Sequence, residues 1–141
     1  MLYKVLGVAA GFFTTFTTIM FIQSIGHALV PPPDDLDLSD TAVASDYIAT
    51  LPPWMLTLVL FAYFAGAFAG PFVAKWLGGG SGKPYAFLFG GLVLAGTLYT
   101  VNLISHPAWF TITAVLGIPA AAWAGARFGP RRVVAAEAAA E

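Results

Sequence analysis

The chain has 141 residues, 59% of them hydrophobic and only 9% charged, with a formal net charge of -1 and no cysteine. A soluble domain of ordinary composition carries about a quarter charged residues, so this chain, with a mean hydropathy of +0.82, is not a water-soluble globule, a disordered region or a nucleic-acid binder. The lack of cysteine also excludes disulfides, thiolate metal sites and cysteine nucleophiles. The composition points to a polytopic membrane protein.

A hydrocarbon core about 30 Å thick takes roughly 20 helical residues at about 1.5 Å each. Four apolar runs reach that length: Leu2 to Val30, Pro52 to Leu77, Pro84 to Ser105 and Pro107 to Phe128. Pro52, Pro84 and Pro107 stand at their starts, where the first-turn N–H groups have no intrahelical partner and proline is tolerated. A cleaved signal peptide is the rival reading of the first run, since Lys4 and the apolar residues after it imitate one. The run continues to Gly26-His27 with no small-x-small cleavage site, which favours an uncleaved span. The spans make one four-helix transmembrane domain, residues 1–128, and residues 129–141 make a tail. From Arg131 to Glu141 the tail is alanine-rich and expected to be a frayed helix or disordered.

The connection from Pro31 to Leu51 opens with three prolines, a stiff polyproline stretch. Ser39 or Asp40 can then cap a short amphipathic helix whose apolar residues Val43, Tyr47 and Leu51 recur every four positions. That helix is either a lid over the bundle's mouth or a surface helix tucking its apolar side away, the commoner fate of such elements.

Lysines and arginines are retained on the cytoplasmic side of short loops. With the N-terminus inside, Lys4, Lys75, Lys83, Arg127, Arg131 and Arg132 all fall at cytoplasmic ends, while Asp34, Asp35, Asp37, Asp40 and Asp46 share the opposite loop. Both termini are then cytoplasmic and the acidic loop periplasmic.

An internal duplication underlies the four spans. Laid on the third span without gaps, the first aligns Lys4 with Lys83, Gly11 with Gly90, Thr18 with Thr97, Gln23 with Asn102, Ile25 with Ile104 and His27 with His106. The second laid on the fourth aligns Pro52 with Pro107, Trp54 with Trp109, Ala67 with Ala122 and Gly70 with Gly125. Corresponding spans run in the same direction, so the expected architecture is an all-α bundle of two parallel-repeat helical hairpins, related by a pseudo-twofold axis along the membrane normal. Helices in lipid associate through small residues that let backbones approach. Gly7 and Gly11 on the first span, Ala62, Gly66, Gly70 and Ala74 on the second, and Gly117, Ala121 and Gly125 on the fourth form such stripes, open to the chain's own helices or to another subunit.

Polar side chains inside a span are costly and merit a functional hypothesis. Gln23 and His27 lie four apart on one helical face, and Asn102 and His106 repeat the spacing at the end of the third span. A true pseudo-twofold brings two histidines and two carboxamides together at the mouth beside the acidic loop. Three chemistries can use them: axial ligation of a haem or a chlorin, a divalent metal shared with Asp35 or Asp37, or titration near neutral pH that gates a proton or solute path. The plainer alternative is that the histidines mark helix ends and that Gln23 and Asn102 are interhelical ties. His106 precedes Pro107, which pushes it out of helical geometry and into the turn.

The remaining features weigh less. Trp54, Trp109, Tyr47 and Trp76 read as interfacial anchors. Gly78-Gly79-Gly80-Ser81-Gly82-Lys83 departs from the phosphate-loop spacing, follows no strand, and reads as a flexible loop between spans. No serine, histidine and acid arrangement supports nucleophilic catalysis, and the spans hold no acid or base for ion coupling.

At Gly26-His27, Pro31-Pro32-Pro33, Leu36-Asp37, Leu51-Pro52, Gly66-x-x-x-Gly70 and Asn102 through His106-Pro107-x-Trp109-Phe110, the chain resembles a group of small, uncharacterised bacterial four-span membrane proteins. The resemblance runs over about the first 128 residues and implies a bacterial inner-membrane protein, with no activity or site carried over. Where that group often has an acidic residue shortly before the Gly-His pair, this chain has Gln23, which weakens a metal or proton-coupling role there. The expected function is a non-catalytic structural or accessory subunit, in contact with lipid and with other membrane subunits or further copies of itself. The alternatives are a small transporter or channel acting as an oligomer, and a tetrapyrrole- or metal-binding protein using His27 and His106.

Overall fold

A computed structural model describes residues 1–33 and 35–130; Asp34 and residues 131–141, which include Arg131, Arg132 and nearly all of the expected tail, lie outside the described residues. Each apolar run forms one unbroken helix long and apolar enough to cross a membrane: α1 (Leu2–Leu29), α3 (Pro53–Gly78), α4 (Lys83–Leu103) and α5 (Ala108–Phe128). A short helix, α2 (Thr41–Thr50), lies in the connection between α1 and α3. The chain is therefore a multi-pass, all-helical membrane protein, with no strand among the described residues. Prolines occupy the first turns of α3 and α4, and Pro107 precedes α5, where no backbone N–H is missed. The Asp40 carboxylate caps α2, accepting from the Ala42 N–H at 2.8 Å. With 28 residues α1 is about 42 Å long, more than enough to cross the hydrocarbon core.

Helix α3 is central, packing against α1, α5 and α4, while α4 rests mainly on α5 and barely meets α1. Small residues permit these contacts. A Cβ on Gly7 would lie 2.6 Å from the Ala74 carbonyl oxygen, and one on Gly11 would lie 2.7 Å from that of Gly70, so α1 and α3 touch backbone to backbone. Gly66 receives the Ile19 side chain, Gly117 receives the Phe64 ring, Gly125 abuts the Phe68 backbone, and Ala62 is fully buried. Ala121 packs against the core. The stripes that the sequence leaves open to another subunit are thus closed mainly within the chain, because they lie on the faces that α1, α3 and α5 turn to one another. Gly91 and Gly96 of α4 face open space instead.

The core consists of Leu56, Leu60, Ala67, Val93, Phe110, Ala114, Ile118 and Ala122, with a smaller cluster of Ala74, Tyr85 and Phe89 toward the other end. Two buried hydroxyls meet their needs locally: Thr15 donates to the Gly11 carbonyl at 2.9 Å and Thr97 to that of Val93 at 2.8 Å. The helices continue through Pro71 and Pro119. Large apolar side chains such as Phe13, Phe21, Phe87 and Leu116 point outward, as a surface solvated by lipid requires.

Candidate functional site

The polar groups of the bundle gather at its two ends. At the end that carries the acidic loop, Gln23 and His27 stand one turn apart on α1, and α2 folds over the bundle. The Ser45 hydroxyl on α2 accepts a 3.1 Å hydrogen bond from the Ser105 N–H in the α4–α5 turn. On the same side of α2, Ala44 is buried and Ile48 packs against the core. Beneath α2 lies a cavity of about 310 Å³.

Its wall is largely apolar, with Leu51, Met55 and Val59 among the lining groups, and its polar members include Gln23, His27, Tyr63 and His106. Both histidines therefore open into one space. The Gln23 carboxamide on α1 and the Tyr63 phenol on α3 line the same stretch of wall. His106 reaches the cavity from the turn and not from a helix, since α4 ends at Leu103 and Pro107 precedes α5. Its Nδ1 lies 2.7 Å from the Ile104 carbonyl oxygen, and its ring sits 4.8 Å from that of Phe110 at 31°. A carbonyl only accepts, so Nδ1 carries a proton and Nε2 is the ring nitrogen left to face a ligand.

Three expected members are not brought to this cavity. Asn102 is exposed, and its Nδ2 donates to the Leu98 carbonyl of its own helix at 2.7 Å. Thr100 and Ile104 take the cavity-facing positions, and Asn102, two residues after Thr100, lies about 200° around the helix from it. The second carboxamide of the repeat thus faces away. Asp35 is exposed outside the lining. Asp37 is engaged by its own turn, accepting from the Ser39 N–H at 3.0 Å and from the Ser39 hydroxyl. Those bonds, the hydroxyl's first, hold the Asp37 carboxyl below the usual carboxylate range. No three histidine or carboxylate side chains come together among the described residues, so a metal at this cavity would have two imidazoles as its protein ligands.

Two contributors escape a reading of the sequence. Tyr63 carries the lone phenol in the middle of α3, half-buried, and a polar group at that depth is the signal that places it on the cavity wall with Gln23. Lys75 reads as a topological charge, yet it is only 7% exposed. Its ammonium donates to the Ala126 carbonyl at 2.8 Å and to the Arg127 carbonyl at 3.2 Å, closing the C-terminal end of α5.

Comparison of the chain with protein-family models, with curated proteins and with solved structures returns no match.

Proposed function

We propose that the chain is a non-catalytic integral membrane protein that holds a small lipophilic molecule in the cavity beneath α2, as an accessory subunit of a bacterial inner-membrane assembly. One observation carries this reading: a largely apolar cavity of about 310 Å³ whose polar groups include two histidines, Gln23 and Tyr63. Ligand pockets have this construction, an apolar body with a few oriented polar groups, and volumes from about 300 Å³ upward. The His106 ring is fixed by its bond to the Ile104 carbonyl, so Nε2 is held at a defined place. Helix α2 is then the lid.

Retention of basic residues on the cytoplasmic side supports a periplasmic cavity and cytoplasmic termini. The parallel-repeat reading is supported by the gap-free alignment of the two hairpins, which sets Gly11 on Gly90 and Gly70 on Gly125. A partner subunit has an open face in α4, where Gly91 and Gly96 meet nothing among the described residues and Asn102 is exposed. A transport path through a single chain has little support: Phe89, Phe110 and Ile118 fill the interior, and the buried threonines bond their own helices.

Organic extracts of wild type and Ala44→Leu, purified in parallel from native membranes, test the reading. Ala44 lines the cavity, and a leucine there fills it. The wild type should carry a stoichiometric lipophilic compound that the variant, folded with the same oligomeric state, lacks; identical extracts contradict the proposal. The free Nε2 of His106 also favours a second reading, tetrapyrrole ligation with His27. A Soret band lost in His106→Ala supports it, and a wild-type spectrum without one removes it.

A further inference from the structure

At the opposite end from the acidic loop, a second cavity of about 470 Å³ opens between the α3–α4 turn and the end of α5. Its wall brings together three cationic residues from three separate elements: Lys75 from the last turn of α3, Lys83 from the start of α4 and Arg127 from the last turn of α5. The described acids, Asp35, Asp37, Asp40 and Asp46, all lie in the connection between α1 and α3, so among the described residues no carboxylate faces these cations. Lys75 spends two of its three N–H donors on the Ala126 and Arg127 carbonyls, which offsets the negative end of the α5 dipole at the cavity's edge.

The remaining wall favours an anion as well. Gly80, Ser81 and Gly82 line it, and Gly82 caps α4 without a side-chain cap; Pro84 has no N–H and Ala86 donates to Gly82, so the first turn offers the Lys83 and Tyr85 N–H groups. Gly82 packs directly on the Ala126 carbonyl, so the turn is seated on α5 and the cavity has a fixed floor. Trp123, 60% exposed, forms one side, with the Arg127 guanidinium 5.8 Å from its ring centroid. A tryptophan one turn from a helix end belongs at headgroup depth. Cations, free amides and an interfacial aromatic at that depth match the phosphate of a lipid.

We propose that this cavity binds a phosphate group, supplied by the headgroup of an anionic phospholipid, through Lys83, Arg127 and the free donor of Lys75. Lys75 variants lose the α5 cap, so Lys83→Gln and Arg127→Gln are the informative changes; the cap uses the carbonyl of Arg127 and not its side chain. The protein is placed in nanodiscs of equal parts phosphatidylglycerol and phosphatidylcholine, and the lipids it retains are read by native mass spectrometry. Wild type should retain phosphatidylglycerol preferentially, and each substitution should lower that preference about fivefold while leaving the thermal unfolding midpoint in place. Equal retention of the two lipids by wild type, or an unchanged preference in both variants, overturns the site. Loss of the phosphatidylglycerol adduct to millimolar inorganic phosphate overturns the lipid assignment and gives the cavity to the free anion.

Discussion

The Lys75 ammonium donates a 2.8 Å hydrogen bond to the carbonyl of Ala126, joining the last turn of α3 to the end of α5. Helix ends leave carbonyls without intrahelical donors, and here a buried charge supplies one. Replacing Lys75 by Met keeps the apolar stem and removes the donor, and should destabilise the bundle by about 1.5–3 kcal/mol, as expected for a hydrogen bond to a charged group. Reversible unfolding in mixed micelles measures this, and Lys75→Arg should recover part of the loss.

The close helix contacts make opposite predictions for two glycines. At Gly125 a methyl group would strike the Phe68 backbone, which cannot rotate away, so Gly125→Ala should cost about 1–3 kcal/mol. At Gly91 a methyl group meets open space, so Gly91→Ala should be neutral or stabilising by up to about 1 kcal/mol. The same micellar unfolding assay compares them, and a partner subunit lying on α4 would reverse the Gly91 result in native membranes.

Much of this architecture is legible from residue order. The four apolar runs become four helices, three of them with the expected prolines at their starts, Pro52 and Pro107 as N-caps and Pro84 in the first turn, because proline is tolerated only there or where a lost bond can be borne. The one-turn spacing of Gln23 and His27 likewise translates directly into a shared wall. Asn102 shows where such reasoning ends. Aligned repeats equate residues by position, but α4 stops at Leu103, and the turn after it delivers His106 to the cavity while leaving Asn102 on the outer face. Tyr63 and Lys75 were concealed for a related reason: their roles depend on which groups of neighbouring helices they meet, and one helix's own sequence does not contain that information.

Gln23 and Tyr63 line the cavity wall from facing helices, and a tie between them is open to direct measurement. A double-mutant cycle with Gln23→Leu and Tyr63→Phe should give a coupling of about 0.6 kcal/mol, the usual size of an interhelical hydrogen bond in lipid. Additive effects would place the two groups apart.

The lid depends on its cap. Asp40→Ala removes the acceptor for the Ala42 N–H and should cost α2 about 0.5–2 kcal/mol of local stability. Hydrogen exchange should accelerate across Thr41–Thr50 and remain unchanged in α3 and α5.

Acidification acts on the same connection through Asp37. Its carboxyl is held below the usual range by Ser39, so the turn is stabilised at pH values above that range and loses this contribution as pH falls through the lowered value. Ser39→Ala removes the hydroxyl bond, and a carboxyl titration followed by NMR should then show Asp37 shifted upward, toward ordinary aspartate behaviour.

The claim that α2 roofs a ligand cavity is tested most directly by photolabelling in nanodiscs with a medium-chain alkyl diazirine bearing an amide head. The predicted result is saturable labelling of peptides that contain Tyr47, Met55 and Tyr63, competed by the unlabelled amide and lost in Ala44→Leu. Labelling that never saturates and falls on lipid-facing residues such as Phe13, Phe87 and Leu116 would contradict it.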